Sequence, residues 1–161
     1  MIKRLFHGSN VAIQAIDLTK SPADKDFGKG FYLTDIESQA VAMAQRRVRI
    51  MGHGEPIVTV FEFDDSCLSN SDLSIKVFPD KVSAEWAEFV NANRNASQCG
   101  FTHPYDIVIG PVANDGVAYQ LERYNEGAID IETLARELAY RKLNRQYFFG
   151  TEQAISLLKR R

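Results

Sequence analysis

The sequence predicts an α+β fold, and three observations carry that expectation. Ile57-Val58-Thr59-Val60-Phe61-Glu62-Phe63 alternates as a half-buried strand should. Ala40, Met43, Ala44 and Val48 recur at the spacing of one helix face. No regular strand–helix–strand alternation runs through the chain, which favours segregated sheets and helices over a doubly wound parallel sheet.

Taken in order, Ile2 to His7 reads as a short strand ending at His7-Gly8-Ser9. Residues 17–30 carry Pro22, Asp24, Asp26, Gly28 and Gly30, a turn-rich composition that predicts a loop. Phe31-Tyr32-Leu33-Thr34 is a brief β-type run, and Asp35 is placed to cap a helix reaching Arg49. Gly52 to Pro56 turns the chain into the alternating strand. Asp80 is placed to cap a helix through Ala92 that buries Val82, Trp86 and Phe89. Tyr105 to Ile109 reads as a buried strand stopped by Gly110-Pro111. Helices follow over Asn114 to Arg123 and Ile131 to Leu143, then a late strand, Gln146 to Phe149. Thr151 caps a last helix through Leu158.

With 161 residues, no internal repeat and no low-complexity linker, residues 1–161 are expected to form one domain. Apolar residues are 45% and charged residues 25%, an ordinary globular balance. A net charge of −2 argues against generic binding of polyanions, and Arg46, Arg47 and Arg49 read as a solvated helix face. Two cysteines, Cys67 and Cys99, are too few for a disulfide framework or a four-ligand zinc site. Met-Ile-Lys-Arg does not begin a signal peptide, and no apolar run approaches the ~20 residues that cross a bilayer. A soluble cytoplasmic protein without membrane contact or bound metal is expected.

Familiar nucleotide cradles are missing, since neither a Gly-x-Gly-x-x-Gly after a strand nor a P-loop occurs. His53-Gly54-Glu55 imitates the His-x-Glu of zinc deaminases without the required Pro-Cys-x-x-Cys. His103, beside Pro104, reads as a loop residue. Two segments stand out together: Leu5-Phe6-His7-Gly8-Ser9 and Phe27-Gly28-Lys29-Gly30-Phe31-Tyr32-Leu33-Thr34-Asp35. Singly, a histidine closing a strand, a tyrosine in an apolar run or a pair of turn glycines is ordinary structure. Their conjunction, in order and on strands, is specific.

These segments resemble the ADP-ribosyltransferase superfamily, in the diphtheria-toxin and poly(ADP-ribose) polymerase branch with its His-Tyr-Glu triad. The second is similar to the Phe-Gly-Lys-Gly-Ile-Tyr-Phe-Ala-Asp stretch of the polymerases. The whole chain, including Tyr105 to Val112 and the tail from Leu143, resembles the bacterial DUF3990 family. The resemblance implies two small, mostly antiparallel sheets that form an NAD⁺ cleft with flanking helices. It implies that His7 bonds a hydroxyl of the adenosine ribose, imidazole offering both a donor and an acceptor. It implies that Gly8, with Ser9 beside it, pairs its backbone with the nicotinamide amide, and that Tyr32 lays its ring against nicotinamide. The loop from Asp26 to Gly30 then folds over the dinucleotide, with Gly28, Lys29, Gly30 and the following Phe31 as contacts and Lys29 near the phosphates.

The third triad position departs from the pattern. Arg145-Gln146-Tyr147-Phe148-Phe149 sets Gln146 where the family has an acid whose charge stabilises the oxocarbenium-like transition state. Three readings stay open. Gln146 orients the ribose in a transferase, Glu152 supplies the charge, or the pocket binds NAD⁺ without efficient chemistry. Restoring the acid by Gln146→Glu is then expected to speed nicotinamide release. Tyr124-Asn125-Glu126 only superficially resembles the acid motif, because a turn and helix follow it. Ala40 and Met43 stand where the polymerases hold nicotinamide with a serine and a second aromatic ring, which disfavours polymer synthesis. The arginine-modifying Ser-Thr-Ser motif is missing.

The expected activity is therefore transfer of one ADP-ribose from NAD⁺ to an acceptor, with His7, Tyr32 and Gln146 as the catalytic set. The rivals are a non-catalytic NAD⁺ or ADP-ribose-binding module acting through a protein partner, and a structural protein. The family resemblance also implies the setting of a bacterial toxin with a neutralising antitoxin. The acceptor stays open among protein, nucleic acid and small molecule, with Asp64 to Ser74 and Ala96 to Pro104 as candidate contact segments.

Overall fold

The computed structural model describes residues 1–70, 72–114, 116–139 and 144–161. Among these run seven strands, six α-helices and two short 3-10 turns. The chain is α+β, with two mostly antiparallel sheets. In the first, β1 (Ile2–Ser9) pairs along its full length with β3 (Ile57–Asp64), His7 opposite Thr59 and Gly8 opposite Val58. The two-residue β7 (Lys159–Arg160) adds to the outer edge of β3. The second sheet has the order β2 (Phe31–Leu33), β6 (Gln146–Phe149), β5 (Ile107–Gly110) and β4 (Ile75–Val77). Only its β4–β5 pairing is parallel.

Every residue of β5 and β6 is buried, because this sheet has a core on each face. On one face, Val108 and Phe148 meet Trp86 and Val90 of α2 (Ala84–Arg94), Val117 and Leu121 of α4 (Val117–Asn125), and Leu134 and Leu138 of α5 (Ile131–Leu138). On the other, Ile107, Ile109, Tyr147 and Phe149 meet Leu5, Phe61 and Phe63 of the first sheet. Alternation along each strand sends neighbouring side chains to opposite cores. Continuous apolar runs are what a sheet covered on both faces requires.

Helix α1 (Glu37–Met51) covers the back of β1. A Cβ on Gly8 would lie 2.0 Å from the carbonyl oxygen of Ala40 and 2.8 Å from the nitrogen of Ala44. Gly8, Ala40 and Ala44 together allow this backbone-to-backbone approach, and both alanines are buried. The helix stops at Gly52, which takes the left-handed conformation (φ 74°) and returns its N–H to Val48 O. Two short helices, α3 (Ala96–Cys99) and α6 (Glu152–Ile155), complete the described set.

Several sequence expectations need correction. Ile36, not Asp35, is the N-cap of α1, and Ser83, not Asp80, caps α2 by accepting from Trp86 N. Both aspartates are taken by Arg145: Nη2 to Asp35 Oδ2 is 2.8 Å, and Nη1 to Asp80 Oδ1 is 3.0 Å. Met43 is 49% exposed, so the buried stripe of α1 is narrower than the spacing suggests. Helix α5 ends at Leu138, where Ala139 is already extended, and positions 140–143 of the expected helix lie outside the described residues. Thr151 does cap α6, accepting from Ala154 N at 3.2 Å, but the helix ends at Ile155 and the chain turns into β7. Among the described residues no helix is long and apolar enough to cross a membrane.

Candidate functional site

Besides packing through that shared core, the two sheets are joined by one antiparallel backbone pair. Phe6 N donates to Thr34 O at 2.7 Å, and Thr34 N donates to Phe6 O at 2.9 Å. Carried one step further, that register would pair Gly8 with Tyr32, but β1 and β2 form no ladder there. Tyr32 O is bonded instead by the imidazole of His7, Nδ1 to O being 2.7 Å. The backbone groups of Phe6 point at β2, so antiparallel alternation aims those of Gly8 the same way, away from β3. The strands thus part beyond Phe6, and the N–H and C=O of Gly8 face the opening.

His7 is set by this break. Its ring stacks on Phe31, centroids 4.4 Å apart and planes at 24°. A carbonyl can only accept, so Nδ1 carries the proton and Nε2 is left with a lone pair. Burial holds the imidazole below its ordinary pKa, and Arg47 adds to that. Among the described residues no buried side-chain nitrogen or oxygen lacks a partner. Nε2 bonds none of the described residues.

Tyr32 packs on the second sheet. Its ring meets Phe148 edge-on at 5.3 Å. Its hydroxyl accepts from Phe27 N at 3.0 Å and donates to Gly28 O at 2.5 Å. Burial pushes this phenol well above its ordinary pKa, so it stays a donor. Tyr32 thereby pins the loop 26–30. Gly28 needs its left-handed φ of 93°, and Gly30 passes over Phe148 so closely that a Cβ would lie 2.2 Å from Cε2. Lys29 is exposed. Ser9 is buried, with its hydroxyl on Asn10 Oδ1 at 3.4 Å.

Gln146 opens β6 on the same face as Tyr32 and Phe148. It is buried, and Nε2 donates to Asp26 Oδ2 at 2.9 Å and Pro111 O at 3.2 Å. Asp26, also buried, accepts from Arg94 through Oδ1 (Nε 2.9 Å, Nη2 2.6 Å) and from Ala113 N through Oδ2 at 3.0 Å. Four N–H donors supply the full acceptor complement of a carboxylate. Both amide hydrogens of Gln146 are committed, whereas Oε1 bonds none of the described residues. Arg145, next in sequence, is tied to Asp35 and Asp80 by its guanidinium and to Gln39 by its backbone. That anchorage fixes the start of β6.

Sequence reasoning placed Asp26 only at the start of the loop over the dinucleotide and missed Arg94 and the bond from Gln146. The available signal was an acid directly before the Phe27-Gly28-Lys29-Gly30 run. Lys25, half-buried beside it, is held below the ordinary lysine range by burial first, then by Arg94, Arg47 and Arg46. Positive charge therefore gathers where this loop meets α1.

The structure separates other candidates from this place. Glu152 is exposed and follows the far end of β6, about 10 Å of strand from Gln146 at ~3.3 Å per residue. Glu126 ends α4 and lines a groove of about 510 Å³ with Arg94, Leu121 and Asn125. Arg94 spans the two places, its guanidinium on Asp26 and its flank on that groove. Among the described residues no three His, Cys, Asp or Glu side chains converge as a metal ion would need.

Fold and site define an α+β protein whose two sheets part at a histidine and whose second sheet carries a buried glutamine, Gln146, bonded to the buried Asp26 that Arg94 in turn holds. The family model for DUF3990, described as proteins of unknown function, matches residues 3–160, and the chain belongs to that family. No curated protein matches it.

Proposed function

We propose that the opening between β1 and β2 binds NAD⁺ and that the protein is a mono-ADP-ribosyltransferase. The observation that carries this reading is the ladder broken after Phe6–Thr34, which leaves the Gly8 peptide groups aimed into a gap flanked by His7 and Tyr32. A primary carboxamide needs one acceptor and one donor in line, and the C=O and N–H of Gly8 supply both. The open Nε2 of neutral His7 accepts a ribose hydroxyl. Lys25 and Arg47 provide counter-charge for a diphosphate. Oε1 of Gln146 accepts from the second ribose.

In the reaction, the bond from ribose C1′ to the nicotinamide nitrogen breaks and its electron pair leaves with nicotinamide. A lone pair of the acceptor then forms the new bond to C1′, and the acceptor proton goes to solvent. Preorganised acceptors around the developing cation are the contribution of this chain. The neutral amide at position 146 favours a second reading, a module that binds NAD⁺ or ADP-ribose without efficient transfer.

Calorimetry with NAD⁺ and an assay of released nicotinamide test both. Expected is binding by the wild type that His7→Ala abolishes, with release that Gln146→Ala lowers by about 100-fold, the loss typical of one preorganised polar group. Binding without release in the presence of candidate acceptors selects the second reading. No binding at all refutes both.

A further inference from the structure

The sequence alone expects that replacing Gln146 with glutamate restores a missing charge. The geometry reverses that expectation. The atoms facing the Gln146 amide nitrogen are Asp26 Oδ2 and Pro111 O, both acceptors, at 2.9 and 3.2 Å. Turning the amide over would put Oε1 against those two oxygens, so its orientation is settled by its surroundings. A glutamate carboxylate has no hydrogen to offer either of them. It would stand as a second negative charge beside Asp26, which is itself buried.

We propose that Asp26 is the positioning residue of this site: it holds the Gln146 amide so that Oε1 faces the opening, and it carries the negative charge one hydrogen bond behind that oxygen. The inference rests on the NAD⁺ reading above. Asp26 does not itself reach the opening, because Arg94, Ala113 and Gln146 occupy its oxygens. It acts through Gln146. The amide relays the field, since polarisation by Asp26 makes Oε1 a stronger acceptor than an isolated amide oxygen. Arg94 offsets the charge from the far side, which keeps the buried carboxylate tolerable. The chain thus keeps one anion and one acceptor, as a glutamate would supply, but distributes them over two residues 120 positions apart.

The test is a double-mutant cycle on the full chain: wild type, Asp26→Asn, Gln146→Glu, and the pair Asp26→Asn/Gln146→Glu. In the pair, the new amide at position 26 donates to the new carboxylate at 146, so that hydrogen bond is restored with the charge moved forward, while the bond from Ala113 N is lost, as it is in Asp26→Asn alone. NAD⁺ affinity, kcat and KM for nicotinamide release, and thermal unfolding are read for each, with circular dichroism as the check on folding. Expected is that Gln146→Glu weakens NAD⁺ binding about tenfold or more, and that the pair regains most of this, a non-additivity that independent sites do not show. Asp26→Asn alone is expected to lower kcat more than it raises KM, which a purely structural role would not do.

Gln146→Glu that binds or turns over as well as the wild type overturns the inference. So does a folded pair no better than Gln146→Glu. A wild type without NAD⁺ affinity overturns the function proposed above and removes the ligand from this inference. It is told apart from failure of the inference alone by the unfolding cycle, where coupling between positions 26 and 146 persists.

Discussion

His7 and His103 look alike until the second ring nitrogen is compared. Each bonds one backbone carbonyl at 2.7 Å, His7 that of Tyr32 and His103 that of Phe27. Each is pushed below its ordinary pKa, chiefly by burial. In the 101–106 segment, however, Nδ1 of His103 also accepts from Tyr105 N at 3.1 Å, which fixes the tautomer and completes the ring. The ring then packs among Phe89, Tyr105 and Phe148. At the edge of β1, His7 has one nitrogen bound, one face stacked on Phe31, and Nε2 open. A closed hydrogen-bond account marks a structural histidine, and an open one at a parted strand marks a histidine available to a ligand.

The comparison breaks most severely if the edge of β1 moves without any change to the imidazole. Gly8→Ala does this, since its methyl would overlap the Ala40 carbonyl, a backbone group that yields only if α1 shifts. A loss of about 4 kcal/mol is expected, at the top of the range for single substitutions, and urea unfolding measures it. His103→Phe comes next. It keeps the ring stack but strips Phe27 O and Tyr105 N of their partner, for an expected loss of about 2 kcal/mol. Hydrogen exchange in residues 26–30 should rise, because one of the bonds that hold that loop, to Phe27 O, is then gone.

How much of this was legible in the sequence depended on range. Strands β1, β3, β5 and β6 are announced by apolar runs or alternation, because burial on one or two faces writes a local pattern. The short parallel strand β4 and the two-residue β7 carry no such pattern, since their partners lie far along the chain. Asp35 and Asp80 show why caps mislead. An acid before a helical run satisfies either a helix N-terminus or a cation, and Arg145, 110 and 65 residues away, recruits both. The motif residues His7, Gly8, Tyr32 and Gln146 stood out only in conjunction. The group that orients Gln146 did not. Asp26 reads as a loop acid until folding brings Arg94 and Gln146 to it across 68 and 120 residues.

The comparison sharpens with His7→Phe, which keeps a ring on Phe31 and loses a single bond to Tyr32 O. The expected stability loss is about 1 kcal/mol, half that of His103→Phe, while NAD⁺ binding disappears. A stability loss as large as that of His103→Phe, with NAD⁺ binding intact, would class His7 with the structural histidine.

The smallest effect is on pH dependence, and both histidines share it. Each has a folded pKa below the unfolded value of 6.5, so between the two values the unfolded chain binds more protons. Stability therefore rises with pH across that window. The contribution is fully present above 6.5 and is lost as pH falls through the folded value. Unfolding free energies at pH 7.5 and 5.5 should differ in that direction for the wild type, and His7→Phe or His103→Phe should each flatten the slope in part. NAD⁺ affinity separates them again. Protonation of His7 removes the lone pair on Nε2, so affinity should fall as pH drops through the depressed folded value of His7, in the wild type and in His103→Phe alike. An affinity that stays flat while the His7 ring titrates would show that Nε2 accepts nothing from the ligand.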